Sequence, residues 1–177
     1  AAFTVTPDSM AFSALGARDT IDVTLEDANG NAVEATVRFT TGSTAVATVT
    51  QEGVVQATGS GTTQVVVSAG SLADTVPVVV SQTITRMEVT PTADTLASGT
   101  STTLTATAYD ANDNTVAATF TWTSSDTAVA TVDTGGTVTG AAVGTASIIA
   151  ATGSFADTAA ITVTAGAAAT LARIAGD

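Results

Sequence analysis

The sequence predicts an all-β protein built from two copies of a small Greek-key sandwich. Three observations carry that expectation. The residues are rich in Val and Thr, with about a fifth of the chain Thr, and these branched side chains suit a pleated sheet. Short stretches alternate apolar and polar letters with a period of two. And the chain repeats itself: "TAVATV" at Thr44–Val49 returns letter for letter at Thr127–Val132, 83 residues on.

The repeat extends well beyond that hexapeptide. "VTP" at Val5–Pro7 returns at Val89–Pro91, and "DAN" at Asp27–Asn29 returns at Asp110–Asn112. Gly61-Thr62 matches Gly144-Thr145, and "GSLADT" at Gly70–Thr75 matches "GSFADT" at Gly153–Thr158. After the first match the register is constant. So many matches in one register exclude coincidence.

Taken in order, the strands of the first copy are marked by Ile21, Val23 and Leu25 alternating with Thr20, Asp22, Thr24 and Glu26. Val37 and Phe39 follow, then Val46 and Val49, then Val65 and Val67, then Val76, Val78 and Val80. The second copy offers Leu104, Ala106 and Ala108; Phe120 and Trp122; Val129 and Val132; Ile148; and Ile161 with Val163. Turn letters separate them: "ANGN", "TTGS", "QEG", "GSG" and "AGS" in the first copy, "ANDN", "SSD", "TGG" and "TG" in the second. No stretch has a helical period. Short strands at regular spacing in units of this size fit a Greek-key sandwich. Trp122 stands where the first copy has Phe39, so both rings are expected in the cores, where a ring removes ~150–250 Å² from water.

Composition narrows the function. Hydrophobic residues make up 45 %, but aromatics only 4 %, so Val and Ala must fill the interior. The net charge is −12 and the only basic residues are Arg18, Arg38, Arg86 and Arg173. Phosphate recognition needs clustered cations, so nucleic acid is not an expected partner, and neither is an anionic membrane face. No run of some eighteen apolar residues is present to enter a bilayer as a helix. There is no Cys, hence no disulfide or thiolate metal site. "AAFTV" at the start has no charged or apolar leader pattern, so a signal peptide is expected to have been removed or to lie in a longer parent.

"FTWTSSDTAVATVDTGGTVTGAAVGTASIIAATG", Phe120–Gly153, resembles the bacterial immunoglobulin-like domain of group 2. The likeness lies in the Trp strand, the Ser/Asp turn, the "VATVD" run with its later "VTG" and "GTA", and a final strand. The first copy, "FTTGSTAVATVTQEGVVQATGSGTTQVVVSAG", is similar but has Phe39 for the Trp and Gln56-Ala57 for Thr139-Gly140. The resemblance spans residues ~3–164 as two copies. It implies two tandem Ig-like Greek-key β-sandwiches arranged end to end: residues 1–84, residues 85–164, then 165–177 as a linker or the first strand of a following domain. It also implies a spacer or binding module of a bacterial surface protein, a filament or a phage particle, with neighbouring Ig-like domains as partners. A host glycan or protein is the alternative partner, and the setting is the cell exterior or a virion surface. The joint "SQTITR", Ser81–Arg86, reads as nearly continuous strand, short enough to limit swing. For the tail, three readings stay open: linker to a third domain, donor strand for a neighbouring subunit, or frayed end.

Motifs that imitate reactive sites do not survive inspection. Asp133-Thr134-Gly135 has the aspartic-protease tripeptide, but that chemistry needs two carboxylates sharing a proton, and the first copy has Thr50 there. "DANGN" at Asp27–Asn31 and "DANDN" at Asp110–Asn114 have the D-x-N-x-N spacing of a calcium loop. An EF-hand would need Glu at the twelfth position, where Arg38 and Thr121 stand. A hairpin turn accounts for them, with weak calcium binding at Asp27/Asn29 or Asp110/Asn112 left as the alternative. "GSGTT" at Gly59–Thr63 has no Lys and opens no helix, so it is no phosphate loop. With no His and no Lys, none of the many hydroxyls has an imidazole or amine base beside it. A glycosidase pair of carboxylates is not indicated, since the acids fall at turns or on solvent-facing strand positions. Thr20, Thr24, Thr103, Thr105 and Thr107 make a hydroxyl-rich face that suits a wet strand and could also carry O-linked sugars. No catalytic, cofactor-binding or metal residue is therefore assigned, and no cofactor is expected.

Overall fold

Backbone pairing turns the alternating stretches into sheets. The computed structural model describes residues 2–166; residues 167–177, and with them most of the 165–177 tail, lie outside the described residues. Every regular element among the described residues is a strand.

In the first repeat β1 (Ala2–Thr6) pairs antiparallel with β4 (Asp22–Glu26), Val5 opposite Val23. The chain passes the cis Thr6–Pro7 bond and changes sheet. There β2 (Met10–Phe12) runs parallel to β9 (Leu72–Val80), Met10 opposite Val78. β8 (Gly61–Ala69) and β5 (Val37–Thr41) complete a four-stranded sheet of order β2-β9-β8-β5. The opposite layer is β3 (Arg18–Thr20), β7 (Val54–Ala57) and β6 (Ala47–Val49), in the order β3-β7-β6.

Between the layers lie Ile21, Phe39, Val55, Val65, Val67, Val76 and Val78, all buried. Alternate residues of β8 and β9 supply most of them. Each fully buried Val is worth roughly 1.5–3 kcal/mol against exposure, so many small side chains do what a few aromatics do elsewhere.

The second repeat has β10 (Arg86–Thr90), β11 (Ala93–Ala97), β12 (Ser101–Thr103), β13 (Thr105–Tyr109), β14 (Thr115–Val116), β15 (Thr121–Ser124), β16 (Ala130–Val132), β17 (Thr137–Gly140), β18 (Gly144–Thr152) and β19 (Phe155–Thr164). Its sheets repeat the plan: β11-β19-β18-β15 with β11 parallel to β19, then β12-β17-β16, and β10-β13-β14. Phe39 faces Val67 across the β5–β8 pair, and Trp122 faces Ala150 across β15–β18, the same position 83 residues on. By contact the chain divides into two units. One is Ala1–Thr85 together with Tyr109–Val116; the other is Arg86–Ala108 with the chain from Ala117.

Two expectations need correction. Val46 and Val49 do not both belong to a strand. Thr44–Val46 is a turn in which the Val46 and Ala47 N–H groups both donate to Ser43 O, so β6 begins at Ala47 and Ala47 is the fully buried residue. Val129 and Ala130 do the same on Asp126 O. Nor is Ser81–Thr85 strand. Its alternate N–H groups are held singly, Ser81 by Phe12 O, Thr83 by Ser13 O and Thr85 by Tyr109 O, which ties the segment without a ladder.

Candidate functional site

Asp27–Asn31 and Asp110–Asn114, the calcium look-alikes, fold into the same turn. Asp27 N–H donates to Asn31 O (2.8 Å) and Gly30 N–H to Asp27 O (3.2 Å). Asp110 N–H likewise donates to Asn114 O (2.9 Å) and Asp113 N–H to Asp110 O (3.1 Å). The fourth residue takes positive φ, +81° at Gly30 and +61° at Asp113. This is a three-residue hairpin loop whose last residue is left-handed. One oxygen of the leading Asp closes it. Asp27 Oδ1 accepts from Asn29 N (2.7 Å) and Asn31 N (3.0 Å); Asp110 Oδ1 accepts from Asn112 N (2.9 Å) and Asn114 N (3.0 Å). The D-x-N-x-N spacing is thus the register of these bonds, and the inward oxygen of each carboxylate faces N–H donors instead of a cation.

The frame recurs at Asp133–Thr137, where Asp133 Oδ1 accepts from Gly135 N and Thr137 N. It recurs at Thr50–Val54, where a hydroxyl replaces the carboxylate. The Asp-Thr-Gly tripeptide is therefore a turn lead. The bond from Thr137 N heads the interactions that lower the Asp133 carboxyl below its ordinary range.

Asp110 differs from Asp27 in its surroundings. Within the first unit its Oδ2 accepts from Leu15 N (2.9 Å) and Gln82 Nε2 (3.0 Å). Asn112 Nδ2 and Asn114 Nδ2 both donate to Leu15 O (2.8 and 3.0 Å). At 1 % exposure Asp110 is the one buried polar or charged side chain among the described residues. Burial alone would raise its carboxyl. The bonds from Gln82, Leu15, Asn114 and Asn112 outweigh that and hold it far below the usual carboxylate range. A carboxylate so low and so fully engaged is a poor general base at neutral pH; its chemistry is to accept hydrogen bonds.

Asp157 is also structural. Its Oδ2 accepts from Val89 N (2.7 Å), binding β19 to β10, while the bond shared by both copies of "ADT" runs from the Thr N–H to the Asp Oδ1. Among the described residues no three His, Cys, Asp or Glu side chains gather as a metal site would require.

The aromatic pair is built around glycines. Gly53 and Gly136 are the left-handed fourth residues of their turns, at φ +81° and +82°. A methyl added at Gly136 would lie 2.5 Å from Leu104 O and 2.9 Å from the Trp122 ring; at Gly53 it would lie 2.4 Å from Ile21 O and 3.1 Å from Phe39. Each ring thus lies where only a glycine leaves room. Phe39 is 8 % exposed, whereas the larger Trp122 is half-buried. Its outer edge, with Phe120 and Leu104, lines an open cleft of about 260 Å³ rimmed by Thr103, Thr105 and Thr134. Sequence reasoning found the turns, Trp122 and Phe39. It missed Leu15, Gln82 and Asp157.

Paired layers, with a first strand that changes sheet and then runs parallel to the last, define an immunoglobulin-like β-sandwich. Residues 83–168 match the family model of the bacterial Ig-like domain (group 2). Among solved structures, the S-layer protein rSbsC is 26 % identical with a TM-score of 0.49; the match covers 84 % of this chain and 23 % of that one. Domains 4 and 5 of the S-layer protein SbsC give 26 % identity and a TM-score of 0.48, covering 82 % of each chain. The Yersinia pseudotuberculosis adhesin InvE gives 17 % and 0.41, covering 92 % of this chain and 58 % of that one. This chain spans about a quarter of the length of rSbsC. No curated protein matches it.

Proposed function

We propose that the chain is a non-catalytic spacer of an extracellular bacterial surface protein or filament, its sandwiches carried in a stiff multi-domain rod. The observation that supports this best is the fate of Asp110: the one deeply buried ionisable group among the described residues is engaged by N–H donors that hold the fold. The match of residues 83–168 to the bacterial Ig-like family supports it too. So does a sequence with no His, Cys or Lys to act as base or nucleophile. Neighbouring Ig-like domains of the same or an adjacent chain are its partners. Small-angle scattering of the purified chain tests the reading: an elongated two-bead profile is expected, and a compact globule would contradict it.

A second reading, an adhesive module for a host glycan or protein, or a phage decoration component, is favoured by one feature. The Trp122–Phe120 cleft combines aromatic edges with Thr hydroxyls, the mixture that suits a sugar ring. Trp122 fluorescence unchanged across a panel of soluble glycans would remove it.

A further inference from the structure

The Asp27 turn has everything the Asp110 turn uses to hold Leu15, yet among the described residues nothing from elsewhere in the chain is bonded to it. Asp27 Oδ1 closes its own loop, and Oδ2 takes only Asn31 Nδ2 (3.1 Å). Asn29, Gly30 and Asn31 are exposed. In the Asp110 turn the corresponding groups hold the backbone of one residue at both its N–H and its C=O: Oδ2 takes the Leu15 N–H while two Asn amides donate to Leu15 O, and Gln82 Nε2 adds a second donor to Oδ2.

We propose that Asp27–Asn31 is a receptor turn for an Ig-like repeat preceding it in the same array, gripping that repeat's Leu15-type peptide and Gln82-type amide. The inference rests on the spacer reading above, which supplies the array. A second copy of this chain is a poor occupant. In its second repeat the counterpart of Leu15 is Ser98, whose N–H already donates to Thr164 O (2.8 Å), and the counterpart of Gln82 is Ala165. The occupant must carry both an N–H that its own repeat leaves unbonded and the linker amide, as the first repeat does at Leu15 and Gln82.

The test extends the full chain by placing a second copy of residues 1–84 directly before Ala1. Amide hydrogen exchange is then read at the Leu15 of the added copy. It should exchange about ten- to a hundred-fold slower than in the same chain with Asp27→Ala, while the original Leu15 is unaffected. An added copy that folds but whose Leu15 exchanges equally in both chains would overturn the receptor and leave the spacer reading standing. A second variant does not depend on the added copy folding. Asp113→Gly in the unextended chain makes the Asp110 turn letter-identical to the Asp27 turn. Leu15 protection should persist; its loss would show that "DANGN" cannot hold that peptide, and the proposal fails.

Discussion

Asp27 and Asp110 lead turns with the same internal bonds, yet Asp27 stays partly in solvent and Asp110 is buried. Five residues of local sequence suffice for the turn. They do not decide whether the outer carboxylate oxygen meets water or protein. That is decided by Leu15 and Gln82, 95 and 28 residues away along the chain. One motif supplies a turn and a spare acceptor, and tertiary partners decide whether that acceptor is buried.

The largest expected effect breaks the buried member. Asp110→Ala strands the Leu15 N–H, leaves the Gln82 amide its bond to Thr115 O alone and removes the turn's own acceptor. A loss of about 3–5 kcal/mol is expected in the denaturant stability of the first unit. Asp27→Ala, in an exposed turn, should cost only a small fraction of that in the same assay.

Next come the glycines at the fourth position. Gly136→Ala forces a methyl onto Leu104 O and the Trp122 ring at positive φ, and about 2–4 kcal/mol should be lost from the second unit on thermal unfolding. At Gly30 no atom lies within 4 Å, so Gly30→Ala should cost only the conformational term, about 1 kcal/mol. Equal losses at the two positions would mean that ring packing over the turn is not the constraint.

Acid sharpens the contrast more gently. The folded Asp110 carboxyl titrates below its unfolded value of 3.8, so the unfolded chain takes up the proton first. Its contribution is full above about pH 5 and declines as pH falls below about 4. Unfolding midpoints followed from pH 7 to about pH 2 should therefore fall more steeply for the natural chain than for Asp110→Ala. Parallel curves would place the acid-sensitive group elsewhere.

Much of this fold is legible in the letters because its rules are local. Val65, Val67, Val76 and Val78 alternate because one face of each strand is buried, and a period of two is visible without coordinates. The turns are legible because an Asp two residues ahead of an Asn, with Gly or Asp at the fourth place, matches a bonding register. The phase of "TAVATV" is not, because a turn occupies its first half and makes Ala47 and Ala130 the fully buried residues, with the valines partly buried against the same cores. Ser81–Thr85 reads as strand since its residues favour extended backbone, but strand needs a neighbour on which to form a ladder. Asp110 is hardest of all. Its partners beyond the turn are a backbone N–H, which no sequence spells, and a single Gln in a linker.

Whether Asp110 is a structural acceptor is tested most directly by the exchange rate of one amide in the unaltered chain. Leu15 N–H should be protected and should lose that protection in Asp110→Ala, while the adjacent Gly16 N–H, which donates to Ala57 O, keeps its own. A Leu15 amide that exchanges freely in the natural chain, or stays protected without Asp110, would contradict the assignment.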